Sequence, residues 1–165
     1  MNKLQPIWLI IFILGMLVIL FCAGCKTFFA ERSTSKTRKI ADTIQIKEDW
    51  SEITMQPPVT ATTKIQYVGL KLDNVKGWKN DSHETLQLNN GDELKIEIEL
   101  VDEKGNITSL FPNGIGEFIE FGKRTKNKEN LEDAYFQTGT NFYKIRLRSS
   151  KQILVNEIVW GEFEF

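Results

Sequence analysis

A lone histidine, His83, stands in the polar run KNDSHET with Asp81, Ser82 and Glu84 beside it. A hydroxyl nucleophile needs a base within hydrogen-bond reach and a buried carboxylate to orient that base. Adjacency along a loop supplies neither. The run therefore reads as a solvated loop. A zinc site asks for several imidazole or thiolate ligands, and with both cysteines at or before residue 25 only carboxylates would remain to join His83. Carboxylates are abundant: the chain holds 22 Asp and Glu residues, all but Glu31 at or beyond residue 40. A pair at glycosidase separation would hydrolyse a glycan. Such abundance singles out no pair, and Glu97 and Glu99 fall where the wet face of a strand is expected. Asp73, Asn74, Asn80 and Asp81 flank the stretch VKGW and carry oxygen ligands of the kind calcium takes. The same side chains serve turns by bonding to their own backbone, and no EF-hand spacing is present. No catalytic residue, metal site or cofactor is assigned, and the chain is expected not to be an enzyme.

Aromatic residues in polar settings point to binding. Trp78 in NVKGWKND, Trp50 in KEDWSE and Tyr135 in EDAYFQ are flanked by charges. Their planes suit stacking on sugar rings or anchoring a protein partner. These three are the candidate ligand-binding residues. Trp160 sits on an apolar strand face and reads as core.

Both cysteines lie in LFCAGCK, residues 20–26, at the end of the one long apolar run. Residues 1–6 carry the amino group and Lys3. Fifteen uncharged residues, IWLIIFILGMLVILF, follow, and CAGC closes with small side chains, which is the layout of an export signal. A peptidase fits the residues before its cut into narrow pockets, so Ala23 and Gly24 ahead of Cys25 are the informative pair. This leader resembles that of a bacterial lipoprotein precursor, whose motif is a branched apolar residue, two small ones and the cysteine. The resemblance covers about the first 25 residues. Ala23 and Gly24 match, while Cys22 stands where leucine is usual. It implies that Cys25 takes diacylglycerol on its sulfur and becomes the new N-terminus. It also implies, through Lys26 in place of the Asp that retains such proteins at an inner membrane, an outward destination where two membranes exist. A signal anchor is the other reading, because the 19 residues from Ile7 to Cys25 approach the ~20 that cross a bilayer core. The basic residues after the span run against the positive-inside preference for an exported domain. Residues 1–24 are thus a signal peptide or a membrane anchor, and under both readings the domain is tethered to a membrane of the cell envelope, through lipid on Cys25 or through the uncleaved span, with the domain facing periplasm or exterior.

Residues 26–39, KTFFAERSTSKTRK, hold five Lys/Arg against one Glu, without apolar periodicity. Residues 25–39 read as a basic polar tether suited to anionic lipid, and residues 40–165 as the domain. The formal net charge of −1 hides the contrast: residues 40–165 carry 15 Lys/Arg against 21 Asp/Glu, a net of −6. A domain so charged lacks the basic face that displaces counterions from phosphates, which excludes nucleic acid as a partner. The basic run GKRTKNK, 122–128, reads as a solvated loop. No cysteine remains in the domain, so its fold rests on packing alone.

The elements that must position these groups are strands. In ELKIEIELVD, Leu94, Ile96, Ile98 and Leu100 alternate with Lys95, Glu97 and Glu99, one face apolar and one wet. The stretch DEKGN then predicts a hairpin through Gly105 into ITSLF. Further strands are expected at 42–46, 85–88, 117–121 and 141–149. KIQYVGLKLD and ILVNEIVWGEFEF switch parity at Gly69 and Gly161, which predicts β-bulges at both. NKENLEDAYF, 127–136, suggests one or two helical turns. The sum is an all-β domain, a single antiparallel β-sandwich of jelly-roll or immunoglobulin-like form, preceded by an N-terminal apolar signal or anchor helix. FYKIRLRS and ILVNEIVW resemble the closing hairpin of galactose-binding-type jelly rolls. The terminal GEFEF resembles the sorting signal of outer-membrane barrels, yet too few segments reach the ~9–11 residues of a lipid-facing strand, so Phe163 and Phe165 read as core. The functional expectation is a membrane-anchored, non-catalytic binding or envelope-interaction module, with a glycan or an envelope protein as partner. The alternative is a carboxylate-based glycan hydrolase of the envelope.

Overall fold

Alternating side chains, β-branched residues and frequent turn formers in residues 40–165 favour strands, and strands are what the chain forms. The computed structural model describes residues 35–79, 84–123 and 135–163. Among these lie thirteen strands and no helix: β1 Ser35–Ala41, β2 Ile44–Ile46, β3 Ser51–Thr60, β4 Gln66–Lys71, β5 Val75–Trp78, β6 Leu86–Leu88, β7 Glu93–Leu94, β8 Ile96–Asp102, β9 Ile107–Ile115, β10 Ile119–Gly122, β11 Asn141–Ser149, β12 Ile153–Val155 and β13 Glu157–Phe163. Eight form one antiparallel sheet in the order β1-β13-β4-β10-β9-β8-β11-β3. β2 pairs with β12, and β5, β6 and β7 make a small three-stranded sheet.

The all-β antiparallel expectation holds, and it takes the form of one continuous sheet nearly closed into a barrel. Its edges β1 and β3 lie side by side without a shared ladder. Arg38 bridges them: Nη1 donates to the Pro58 carbonyl at 3.1 Å and Nη2 to the Pro57 carbonyl. Val68, Leu70, Ile98, Leu100, Ile145, Leu147 and Ile158 fill the inside, each 1% exposed or less. The apolar face is therefore interior, and the wet faces of β8 and β11 carry Glu and Arg outward, the reverse of a lipid-facing barrel.

Strict antiparallel alternation fixes which links share an end. At one end lie Ser35, the β3–β4 corner, the β8–β9 hairpin and the β10–β11 link. At the far end lie β2, the excursion through β5–β7, the β9–β10 turn and β12. The hairpin at residues 102–106 forms as predicted. Gly105 takes φ +82°, and Asp102 accepts from the amides of Lys104 (2.9 Å) and Asn106 (2.8 Å) and from Asn106 Nδ2 (2.8 Å). Those bonds, led by the Asn106 side chain, hold the Asp102 carboxyl below the usual range.

Several expectations need correction. Residues 35–39, expected as the end of the tether, form most of β1 and pair with β13, so they belong to the folded unit. β3 is an unpredicted strand because Pro57 and Pro58 break its pattern, and as an edge strand it tolerates both. The VKGW stretch, to which no strand was assigned, is β5. No bulge occurs at Gly69 or Gly161, since β13 and β4 pair without a register shift from Glu157↔Lys71 to Glu162↔Gln66. Parity changes there because β4 is buried on both faces, from Gln66 through Leu70. Register breaks in the large sheet fall instead near Ile40, Asn113 and Tyr143, with another near Lys76 in the small sheet. β11 and β13 form no hairpin: β11 pairs with β8 and β3, β13 with β1 and β4, and β12 between them pairs with β2. Phe163 packs on the outer face against Tyr67 at 4.8 Å, not in the core. The leader, Cys25, residues 127–134 of the helical turns expected over 127–136, and Phe165 lie outside the described residues, while residues 135 and 136 are not helical.

Candidate functional site

Period two sends every second residue of β8 and β11 outward, and register turns that into chemistry. Glu97 stands opposite Arg148 and Glu99 opposite Arg146, while Arg146 also stands opposite Glu52 of β3. Arg148 Nε donates to Glu97 Oε2 at 2.8 Å, Arg146 Nη1 to Glu99 Oε2 at 2.9 Å, and Lys144 Nζ to Glu52 Oε2 at 2.7 Å. Arg146 Nε is buried 3.4 Å from Glu52 Oε1, in charge contact but without hydrogen-bond alignment. Trp50, just ahead of β3, completes the group. The guanidinium carbons of Arg146 and Arg148 lie 4.8 and 4.6 Å from its ring centroid, within cation–π range.

This face borders a groove of about 300 Å³ across β8 and β9, lined by Trp50, Lys95, Glu97, Glu99, Ser109 and Phe111. Phe111 is 39% exposed. The hydrogen bond from Arg148 holds the Glu97 carboxyl below the usual range, against the opposing effect of partial burial, with Lys95 adding to the depression. Lys144 does the same for Glu52. Carboxylates kept ionised this way accept hydrogen bonds and cannot act as general acids near neutral pH.

The sign of the linkage follows. Glu97 is more acidic folded than unfolded, so its pairing stabilises fully above the unfolded value of about 4.3 and is lost as pH falls through the folded value. Glu97→Gln removes that contribution. Calorimetry is expected to show wild type melting above the variant at about pH 7, with the gap closing below about pH 4.

Among the sequence-derived candidates, Trp50 alone reaches this site. Trp78 closes β5 opposite Leu86 and packs, half-buried, against the core cluster. It is a capping side chain rather than an exposed loop aromatic. Tyr135 lies in the β10–β11 link at the Ser35 end, half-buried, and its carbonyl accepts from Lys123 Nζ at 2.8 Å. Asn80, Asp81, Ser82 and His83 lie outside the described residues. Sequence reasoning missed Arg146, Arg148 and Phe111. Their signal was the alternation KIRLRS against KIEIEL, two wet faces of opposite charge that fit one another as cross-strand partners.

No protein-family model matches the chain, and no curated protein matches it.

Glu120 is the one described carboxyl pushed upward, by burial. Its cross-strand neighbours are Gly69 and Gly114, so no acid faces it from directly opposite. A retaining or inverting glycosidase needs two facing carboxyls, and Glu120 sits on β10, apart from the paired acids of β8. Among the described residues no group of three His, Cys, Asp or Glu is placed to hold a metal ion.

Proposed function

We propose that this chain is a membrane-anchored extracytoplasmic lipoprotein, held through Cys25, whose sandwich-like β domain is a non-catalytic docking module for an envelope protein. The docking face is the outer surface of β3, β11, β8 and β9. One observation carries the reading: Glu52, Glu97 and Glu99 are each bonded to a cation on a neighbouring strand, which sets a charge-paired polar face around Trp50. Tryptophan and arginine set among paired charges are the residue types that dominate protein–protein hot spots. Fixed alternating charges add specificity through register.

Two measurements test it. Mass spectrometry of the N-terminus from native membranes is expected to find a lipidated Cys25 start, abolished in Cys25→Ser; an intact Met1 start would show an uncleaved anchor instead. Chemical cross-linking in intact cells is expected to give a discrete adduct, reduced about tenfold or more by Trp50→Ala, a loss typical of a hot spot. An adduct insensitive to Trp50→Ala removes this face from the proposal. Release of reducing ends from envelope glycan by the purified chain, lost in Glu97→Gln, would establish the hydrolase in its place.

A further inference from the structure

A cleft of about 650 Å³ opens at the far end of the barrel, between the β5–β7 sheet and the β2–β12 pair. Its size is that of a small-molecule site. Leu72, Leu88, Leu94 and Ile153 make an aliphatic floor, and Leu154, 53% exposed, forms its lip. The rim is built differently. Asp73 and Asn74 stand on one bank and Asn89 on the other, and the Asn89 amide donates to the Asn74 carbonyl at 2.8 Å, which ties the banks together. Asn74 holds φ +64°, the left-handed conformation that asparagine tolerates. Asn90 spends its side chain on its own turn, accepting from the Asp92 amide at 3.0 Å and donating to Asp92 Oδ2 at 3.1 Å. Asn74 and Asn89 are thus the carboxamides the rim offers.

We infer that this cleft binds the acetamido group of an uncharged amino sugar, an N-acetylhexosamine at a glycan end. Three features select that chemistry. Among the described residues Asp73 is the only charged one lining the cleft, so phosphate and carboxylate ligands meet repulsion with no lining cation among them to offset it. A carboxamide both donates and accepts, which matches the two functions of a ligand amide, and a carboxylate accepts from sugar hydroxyls. The floor is aliphatic with no aromatic ring, so it suits a methyl group better than the face of a sugar. The acetamido group joins a methyl to an amide, and the ring hydroxyls reach Asp73. This cleft shares no lining residue with the Trp50 groove, so each proposal can fail alone.

The test is NMR titration of the full chain in detergent micelles, reading leucine and isoleucine methyls and asparagine side-chain amides. N-acetylglucosamine is expected to shift Ile153, Leu154, Asn74 and Asn89 saturably, with Kd on the order of 1 mM, and glucose to bind about tenfold or more weaker. Asn74→Gly keeps the left-handed backbone and removes the carboxamide. That variant and Leu154→Asp are each expected to weaken binding about tenfold or more, while Trp50→Ala leaves it unchanged. The inference is overturned by any of three results: no saturable shift up to about 20 mM sugar, equal binding of glucose or N-acetylalanine amide, or affinity indifferent to Asn74→Gly.

Discussion

Trp160→Ala is expected to lower the stability of the domain by about 3–5 kcal/mol, the largest effect of any single truncation proposed for it. Trp160 is 5% exposed on the core face of β13, opposite Val68. Its ring lies 5.6 Å from Phe136 and 6.2 Å from Phe142, and those two meet edge-on at 5.3 Å. Removing it leaves a cavity lined by two aromatics from separate parts of the chain, the β10–β11 link and β11, neither of which can close the gap alone. Domains are stable by only about 5–15 kcal/mol, so the thermal midpoint should fall by about 10–20 °C. Urea unfolding followed by circular dichroism checks it, with an unchanged slope marking an intact fold. A loss under about 1 kcal/mol would mean that Trp160 behaves as a surface residue.

Gly161→Ala comes second, at about 1–3 kcal/mol, and its cause is crowding. Tyr67 lies flat over Gly161 on the outer face, so a β-carbon placed there falls within the Tyr67 ring. Tyr67 is 2% exposed and held from the side by Phe163, which leaves it little room to swing away. In a Tyr67→Ala background the ring is gone and Gly161→Ala should cost far less. A double-mutant cycle reads the difference as a coupling of about 1 kcal/mol or more. Independent, additive losses would show that the glycine serves something other than the ring above it.

The same two residues show why the sequence led to bulges. A parity change along a strand has two causes, an inserted residue or a second buried face, and β4 is buried on both. Nothing within KIQYVGLKLD distinguishes them, because Tyr67 needs its burial from Gly161 and Phe163, almost a hundred residues away. β8 and β11 were legible since their wet faces alternate cleanly, and the observed bounds of β11 match the expected 141–149. β1 was hidden by its charge: Lys36 and Lys39 point to water and only pairing with β13 makes the segment a strand. The charged outer face of β8 and β11 was half legible. Glu97 and Glu99 were assigned to a wet face, but their bonding to Arg148 and Arg146 depends on a nonlocal register. Trp50 and Trp78 sit in similar local sequence, and only tertiary packing separates a residue stacked under two guanidiniums from one that caps the core.

The clasp from Arg38 to the Pro57 and Pro58 carbonyls has a consequence for crowding. An unfinished sheet edge templates strand-by-strand growth between neighbouring molecules. Here the two prolines have no amide hydrogen to offer, and their carbonyl oxygens already receive a guanidinium. Copies gathered at high density would find that stretch of β3 closed to strand pairing.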